Sequence, residues 1–371
     1  MDFLTRTIVI IGGVLVAGLI LAIVLSGIKR PGKGIGRFFA TLGVTVLLLV
    51  ATLALIVTMI CHGPSYEAKK LFVTTLLETG NMKWLVGIFL PQDEVQAIVD
   101  SNAMGTIEEN TDPDLIDINT ELDMSEIKID RIEGDNYSAI MMVVNDPSRV
   151  FVGTTYPWGT YGKELDKLVE SYSALGGING GIYDADMNRG GHPYGVVVSG
   201  GKIQNMTNLG IRGLVLIGIS EDNIFKVIDI NGKGEAAVRK ILEDEKIRDA
   251  VCFQEESSDK NNHFVKLMIN GQRRELNGGM GSGANPRTAI GQTADGRMLL
   301  LVTDGRGANG HLGATASDLI DIMESYGAVN AANLDGGSST CMYYDGEWLR
   351  NSVTLYYESS SWRIPTGFLV R

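Results

Sequence analysis

The sequence predicts an α+β fold: a mixed or antiparallel β-sheet core with flanking helices, preceded by an N-terminal two-helix transmembrane hairpin. Two long apolar stretches come first, at residues 7–28 and 38–60. After them, strand-length apolar runs and amphipathic helical patterns alternate only in part, and several strand pairs look like hairpins. A doubly wound fold requires regular alternation of strands and helices. The α+β class therefore fits better.

The two apolar stretches lack charged residues, and each is long enough to cross a bilayer. A secretory signal would have one shorter apolar region and no second span. The loop between them carries Lys29, Arg30, Lys33 and Arg37, and positive charge favours the cytoplasmic side. We therefore expect a multi-pass protein of the cell membrane, held by lipid through two spans, with everything after Cys61 on the extracellular face.

The charge balance excludes one class of partner. The chain has a formal net charge of −12, and residues 1–61 hold five of its 32 basic residues but only one of its 44 acidic residues. The remainder has 27 basic against 43 acidic residues. A surface this acidic argues against nucleic acid as a partner.

Residues 62–136 read as a helical stalk followed by an acidic linker. Apolar residues recur at near-helical spacing over residues 64–102, which predicts one or two amphipathic helices in a packed stalk. Residues 106–135 hold eleven acidic and two basic residues, a composition typical of a mobile linker. The sequence therefore predicts three parts: the hairpin (1–61), the stalk and linker (62–136) and a globular domain (137–371).

Within that domain, residues 137–146 and 213–219 are apolar runs of strand length, and residues 163–173 and 314–327 have helical patterns. The second helix starts with Thr315 and Asp318 in the spacing of a capping box and ends at Gly327, in the position of a C′ glycine. One of its faces is apolar, formed by Leu319, Ile322, Met323 and Tyr326.

Residues 285–306 predict a hairpin whose register can be counted. With Asp295–Gly296 as a two-residue turn, Thr288 lies opposite Thr303 and Arg287 lies opposite Asp304. Directly opposed side chains are about 5 Å apart at Cβ. We therefore expect Arg287 and Asp304 to lie side by side at the open end of the hairpin, either as a structural ion pair or as part of a functional site.

Two further strands end in a polar residue followed by two glycines. Asn179 is followed by Gly180 and Gly181, and Asp335 is followed by Gly336, Gly337 and Ser338. Glycines at such a position permit a positive φ and close approach of a substrate to the backbone. Ser338 and Ser339 are placed either to bind a ligand or to stabilise the turn. Together with the Arg–Asp hairpin, these strand ends favour a functional site over ordinary turns.

Other catalytic patterns are missing from the sequence. The histidines at 62, 192, 263 and 311 are scattered, and there is neither a G-x-S-x-G elbow nor a P-loop. Cysteines at 61, 252 and 341 lack metal-finger spacing, and Cys252 and Cys341 can equally form a disulfide or be buried free thiols. The functional groups that remain are carboxylates, one arginine and one asparagine.

These stretches resemble the phosphodiester glycosidase family. The similarity lies in "GGINGGIYD", "GVVVSGGKI", "NPRTAIGQTADGRMLLLVTDGR", "GATASDLIDIMESYGAVNAANLDGGSST" and "PTGFLVR", which together span roughly residues 137–371. The resemblance implies an α+β catalytic fold, hydrolysis of a sugar 1-phosphodiester, and a site formed by Asn179, Arg287, Asp304, Asp335 and Ser338. The family's Asn-Gly-Gly-Tyr-Phe motif is altered here, because Ile182 precedes Tyr183. The spans and stalk resemble those of surface-anchored bacterial members associated with exopolysaccharide biosynthesis.

On this interpretation the substrate is a sugar phosphate or glycan. Because a phosphate monoester is a good leaving group, the reaction needs a group for the phosphate charge and a carboxylate for the oxocarbenium-like carbon. Arg287 suits the first role, and Asp304 and Asp335 suit the second, one as nucleophile or base and the other as orienter. Asn179 would hold a sugar hydroxyl or the phosphate.

Two alternatives stay open. One is a non-catalytic module that binds sugar phosphate or anionic polymer. The other is a metal-dependent phosphodiester hydrolase, with a divalent cation such as calcium between Asp304 and Asp335. Otherwise we expect no cofactor and no resident metal.

Overall fold

The computed structural model of the chain describes residues 34–79, 82–352 and 360–371, together with isolated positions at 13, 16–18 and 20. The helices of this part are α1 (Gly34–His62), α2 (Tyr66–Leu77), α3 (Trp84–Phe89), α4 (Gln92–Ser101), α5 (Leu165–Ser171), α6 (Glu235–Asp244) and α7 (Ala316–Ser325). Its strands are β1 (Ile127–Glu133), β2 (Ser138–Val144), β3 (Val150–Thr154), β4 (Gly176–Asn179), β5 (Gly195–Ser199), β6 (Lys202–Thr207), β7 (Leu214–Ser220), β8 (Phe225–Asp229), β9 (Ile247–Gln254), β10 (Glu256–Ser257), β11 (Asn262–His263), β12 (Lys266–Ile269), β13 (Gln272–Arg273), β14 (Thr288–Thr293), β15 (Met298–Thr303), β16 (Ala328–Asn333), β17 (Met342–Tyr344), β18 (Glu347–Arg350) and β19 (Thr366–Val370).

The strands form three large sheets and one two-stranded ribbon. A seven-stranded sheet has the order β1-β2-β15-β14-β16-β12-β13, and two five-stranded sheets have the orders β18-β17-β4-β19-β3 and β6-β5-β9-β7-β8. The strand pairs of these sheets are antiparallel. The predicted α+β class with antiparallel sheets is confirmed.

The main core lies between the three sheets. Met142 from the seven-stranded sheet shares one buried cluster with Val152 and Val227 from the two five-stranded sheets. Helix α7 covers the other face of the seven-stranded sheet, where Leu319 and Met323 join a second buried cluster. Burying apolar side chains on both faces is the main stabilising term for a sheet in this position.

Helix α7 forms as its sequence predicts. The Thr315 hydroxyl accepts a hydrogen bond from the Asp318 backbone N–H, and the Asp318 carboxylate accepts from the Thr315 backbone N–H, which completes the capping box. Gly327 ends the helix with φ +75. Helix α5 lies within the predicted 163–173 segment.

The predicted register of the β14–β15 hairpin is wrong by one residue. Thr288 pairs with Val302, not with Thr303. The loop has three residues instead of two: the Gly296 N–H donates to the Thr293 carbonyl, and Gly296 has φ +90, as in a turn closed by a glycine bulge. Because side chains alternate along a strand, a one-residue slip moves them to the opposite face. Arg287 and Asp304 therefore point to opposite faces of the sheet.

The N-terminal helix α1 includes Leu42–His62, a segment of 21 residues with mean hydropathy 2.8 that is long and apolar enough to cross a membrane. It is the one such helix among the residues that the structure describes. The predicted span at 7–28 lies outside the described residues apart from isolated positions. The two-span hairpin accordingly stays a prediction.

The short helices α2, α3 and α4 pack against the end of α1. Val57 and Cys61 of α1 share a buried cluster with Val73, Val86 and Ile98. The same helices contact the sheets' connecting loops, since the Lys70 ammonium donates to the Gly278 carbonyl at 2.9 Å. The helical part of the stalk is thus packed on both sides.

The interpretation of residues 106–135 as a mobile linker is corrected by strand β1. This strand pairs with β2 over its whole length and forms the edge of the seven-stranded sheet. Its exposed charges alternate with isoleucines that pack on the core, including Ile129 and Ile132. Charged side chains commonly protect edge strands from pairing with other chains. Here they obscured the alternation of apolar and polar residues by which a strand is predicted. Upstream, the Asp117 N–H donates to the Ala294 carbonyl at 2.8 Å.

The three cysteine thiols, at 61, 252 and 341, are free and buried. Cys252 Sγ instead accepts a hydrogen bond from the Val196 N–H. The alternative of free thiols, which the sequence left open beside a disulfide, is the one that the structure adopts.

Candidate active site

Two sheets meet where the predicted strand ends lie. Strand β4 ends at Asn179, and strand β16 ends two residues before Asp335. The Asn179 side-chain N–H donates to the Asp335 carbonyl at 2.6 Å, and the Asn179 side-chain oxygen accepts from the Thr288 hydroxyl at 2.7 Å. The Cys341 N–H donates to the same oxygen. Asn179 and Asp335 are therefore brought together, with Asn179 only 1 % exposed and engaged in positioning the Asp335 turn.

The glycines after these two residues allow close packing of the protein on itself. A Cβ on Gly180 would lie 2.5 Å from the Thr366 hydroxyl, and one on Gly181 would lie 2.3 Å from the Cys252 carbonyl. A Cβ on Gly336 would lie 2.9 Å from the Pro286 carbonyl. Gly337 has φ +62 and lies against the Arg306 guanidinium. The glycines are needed, but protein atoms occupy the space that was expected to admit a substrate.

Asp335 has a perturbed carboxyl group. Burial raises its pKa to about 6, against the opposing effects of a hydrogen bond from Ser339, the Gly336 N–H and the positive charge of Arg306. The Ser339 hydroxyl is also 2.8 Å from the buried Tyr183 hydroxyl. A carboxyl group with a pKa near 6 is suited to gain or lose a proton close to neutral pH.

Arg306 supplies the cation beside Asp335. It lies in the loop after β15, with its Nη1 donating to the Ser338 hydroxyl at 2.9 Å. Its backbone has φ +54, a conformation that is uncommon for a residue with a side chain and that often accompanies function. Ser338 thus joins the cluster through the guanidinium.

Asp304 lies in a different environment. Its carboxylate is completely buried and accepts hydrogen bonds from the Ser138 N–H and hydroxyl at 2.7 Å, from His311 Nδ1 at 2.9 Å and from Asn309. These donors, together with the nearby Arg350 charge, lower the pKa of Asp304 in spite of burial. This carboxylate ties the 305–313 loop to the start of β2.

Arg287 is 6 % exposed and is engaged within the protein. Its Nη2 forms an ion pair with Glu78, the residue that ends helix α2, and its Nε donates to the Ala314 carbonyl at 3.1 Å. The guanidinium also lies over the ring of Phe264, 5.0 Å from its centroid. Arg287 therefore does not offer an open fork to a phosphate in this structure.

Sequence reasoning missed two members of the cluster, Arg306 and Tyr183, and left Ser339 open between ligand binding and turn stabilisation. The available signal for Arg306 was its place two residues after Asp304, beyond a glycine at a strand end. Tyr183 lies in a stretch that was recognised, but it was not assigned a catalytic or binding role. Only the fold shows that Tyr183, after β4, reaches Ser339, after β16.

Within the described part of the chain, the Asp335 cluster is not a metal-ligand cluster. Among the described residues, no three His, Cys, Asp or Glu side chains are grouped as a metal site requires. A cavity of about 260 Å³ lies elsewhere, lined by residues that include Ile228, Asp229 and Lys233. The assignment of the site therefore depends on the Asp335 cluster itself.

The second half of the chain matches a known protein family. The model of the phosphodiester glycosidase family matches residues 172–371, a range that contains Asp335, Arg306 and Asn179. The chain is also 39% identical over 67 residues to an uncharacterized SPbeta prophage-derived protein of Bacillus subtilis, YomE. That match covers 18% of this chain and only 10% of the relative's length.

The fold is similar to that of a solved catalytic domain. The catalytic domain of zebrafish N-acetylglucosamine-1-phosphodiester alpha-N-acetylglucosaminidase, auto-inhibited by its pro-peptide, superposes with a TM-score of 0.52 and 18% identity, over 72% of this chain and 89% of that one. A Burkholderia pseudomallei protein described as exported has a TM-score of 0.44 and 13% identity, over 63% of this chain and 74% of that one.

Proposed function

The chain belongs to the phosphodiester glycosidase family, and from this premise we propose that it hydrolyses the glycosidic bond of a sugar 1-phosphodiester. The observation that carries the proposal is the Asp335 carboxyl, with its pKa raised to about 6 beside the Arg306 guanidinium. An anionic leaving group and a positively charged carbon need this combination of a cation and a carboxylate.

Arg306 takes the role that the sequence assigned to Arg287. Its planar fork can hold two phosphate oxygens, and its existing contact to the Ser338 hydroxyl orients it without neutralising its charge. Arg287, in contrast, already has a carboxylate partner in Glu78. We therefore assign the phosphate to Arg306, with Ser338 as a further donor.

Asp335 acts at the anomeric carbon in its ionised form. The bond between that carbon and the phosphate oxygen breaks, and the electron pair leaves with the phosphate monoester. Asp335 either attacks the carbon or takes a proton from the attacking water. Because the phosphate leaves as a stable anion, a strong general acid is not required. Asn179 holds the Asp335 turn in place, and Asp304 anchors the loop that carries Arg306.

Location and biological role belong to the same proposal. We propose that the protein is a membrane-anchored enzyme whose domain lies outside the cell, acting on a cell-surface polysaccharide or wall polymer. The apolar helix Leu42–His62 and the basic residues 29–37 that precede it support this orientation, since positive charge stays inside.

The test is turnover of a panel of sugar 1-phosphodiesters that differ in sugar and anomer, using the purified full chain in detergent. We expect release of free sugar and phosphate monoester from at least one member, and its loss in Asp335→Asn. Retained binding without any turnover in the wild type would favour the non-catalytic module instead.

The metal-dependent alternative requires that Asp304 have carboxylate oxygens free to bind a cation. A cation held between Asp304 and Asp335 would need free carboxylate oxygens, whereas both oxygens of Asp304 accept hydrogen bonds from Ser138 and His311. This arrangement supports a reaction without a resident metal. Turnover that disappears with a chelator and returns with calcium would support the alternative.

A further inference from the structure

Helix α2 ends in a buried carboxylate that reaches the domain bearing the site. Glu78 is the C-cap of α2, with its side chain 2 % exposed. One oxygen accepts from the Gly283 N–H at 2.7 Å and from the Asn262 amide at 2.9 Å. The other accepts from Arg287 and from the Asn285 amide at 3.0 Å. Four donors from the domain thus converge on one residue of the preceding helices.

Asn285 connects Glu78 to the site. Its amide nitrogen faces Glu78, so its amide oxygen faces the other way and accepts from Arg306 Nε at 3.4 Å. Asn285 is only 3 % exposed. An acceptor at Glu78 therefore fixes which end of this amide points to Arg306. Hydrogen bonds therefore connect Glu78 at the end of helix α2, through Asn285, to Arg306 and Ser338.

From this arrangement we propose that Glu78 is a positioning residue for the reaction: through Asn285 it orients the Arg306 guanidinium toward the substrate phosphate. The proposal rests on the proposed function, because it concerns the geometry of that same site. It makes the helices before the matched family region part of the working enzyme, although they lie at positions 66–101, outside residues 172–371.

Neutralising Glu78 has two separable effects. The buried Arg287 loses its countercharge, which lowers stability. In addition, the Asn285 amide loses its strongest acceptor and can turn, so that Arg306 loses the Asn285 oxygen and keeps only its contact with Ser338. A displacement of about 1 Å in a positioned group can lower a rate by about 100-fold. A merely structural role would produce the first effect alone.

The experiment compares Glu78→Gln, Asn285→Ala and the control Glu94→Gln in the full chain. Glu94 lies in the same group of helices and pairs with Lys69, away from the site. We expect Glu78→Gln and Asn285→Ala to lower kcat/KM for a sugar 1-phosphodiester about 10-fold to 100-fold, and Glu94→Gln to leave it unchanged. Asn285→Ala keeps the Glu78–Arg287 pair, so it carries the test if Glu78→Gln fails to fold.

A double-mutant cycle with Arg306→Lys separates positioning from stability. If Glu78 acts through Arg306, adding Glu78→Gln to Arg306→Lys should lower kcat/KM little further. Full additivity of the two losses, or unchanged kcat/KM in folded Asn285→Ala, would overturn the proposal while leaving the enzyme assignment intact.

If the wild type turns over no substrate, the proposed function fails. In that case the affinity for a sugar 1-phosphate is measured by calorimetry for the wild type and the same variants. Weaker binding in Glu78→Gln and Asn285→Ala, without full additivity with Arg306→Lys, supports the positioning role, and unchanged binding in Asn285→Ala overturns it.

Discussion

At the scale of single residues, the role proposed for Asp335 comes with a cost in stability. Burial raises its pKa from 3.8 to about 6, so the folded protein binds this proton more tightly than the unfolded chain does. Ionised Asp335 is therefore unfavourable in the fold at neutral pH. Such a cost is common where a carboxylate is needed for chemistry.

We predict that Asp335→Asn abolishes turnover and raises the melting temperature at pH 7.5. A rise in pKa from 3.8 to about 6 corresponds to at most about 3 kcal/mol, and loss of hydrogen bonds to the carboxylate will reduce this gain. The sign follows from the raised pKa: the stability that protonation gives is present below pH 4 and is lost as the pH rises through about 6. The gain in the variant, measured by thermal unfolding, should therefore vanish at pH 4.

The pH dependence of turnover tests the protonation state in which Asp335 works. If the ionised carboxylate acts at the anomeric carbon, kcat/KM should rise as the pH increases through about 6 and then level off. A rate that falls over the same interval would instead assign Asp335 as a general acid. The measurement is a pH–rate profile of the wild type with saturating and limiting substrate.

Substitution of Arg306 and substitution of Arg287 should have different effects on stability and on rate. Arg306→Lys keeps the charge but loses the fork, so we expect a melting temperature near wild type and a kcat/KM lowered about 10-fold or more. Arg287→Lys should lower the melting temperature, because Arg287 is buried and donates to Glu78, Gly283 and Ala314. Normal stability with a large rate loss in Arg287→Lys would return the phosphate role to that residue.

These residues also mark what the sequence could predict about the site. Asp335 and Asn179 could be found because each follows a short apolar strand and precedes two glycines. The pairing of Arg287 with Asp304 could not be trusted, because a three-residue loop in place of a two-residue turn reverses the faces. Arg306 lies in an irregular loop, where no periodic pattern indicates a direction for the side chain.

At the scale of elements, the loop after β15 depends on the buried Asp304. The lowered pKa of this carboxyl means that its stabilising contribution is present above its usual value of 3.8 and is lost as the pH falls further. We predict that Asp304→Asn lowers the free energy of unfolding by about 1–3 kcal/mol at pH 7. The difference from wild type should narrow below pH 4. Turnover should fall but not vanish, since Asp304 holds the loop of Arg306 and does not touch the substrate.

Elements with local signals could be read from the sequence, and elements defined by distant partners could not. The capping box and C′ glycine of α7 fix both of its ends locally. Strand β1 is defined by pairing with β2 and by isoleucines that pack on both of its faces, Ile129 against one buried cluster and Ile132 against the other. Its charges, typical of an edge, gave the whole segment the composition of a linker.

At the scale of the whole molecule, the membrane orientation that we propose follows from charge. The basic segment at 29–37 should stay inside and residues 62–371 should lie outside. Protease added to intact cells or protoplasts should therefore digest the domain. Digestion that begins only after lysis would reverse this orientation.

The segments that precede residue 137 determine which truncated fragments of the protein can fold. A fragment of residues 137–371 would lack strand β1, which pairs with β2 along its full length, and would lack Glu78, the partner of buried Arg287. Exposing a hydrogen-bonding strand edge favours aggregation, and an unpaired buried charge costs about 3–5 kcal/mol. We therefore predict that this fragment aggregates or shows no cooperative melting, whereas residues 64–371 fold.

A third fragment, residues 106–371, separates the two causes. It keeps β1 but lacks Glu78, so it should be soluble yet melt at a lower temperature than residues 64–371, and it should show the weakened kcat/KM expected of Glu78→Gln. Size-exclusion chromatography, thermal unfolding and turnover of the three fragments under one set of conditions provide the comparison. If residues 137–371 alone melt cooperatively with full activity, the first 136 residues serve only as an anchor, and the contacts of Glu78 have no part in the reaction.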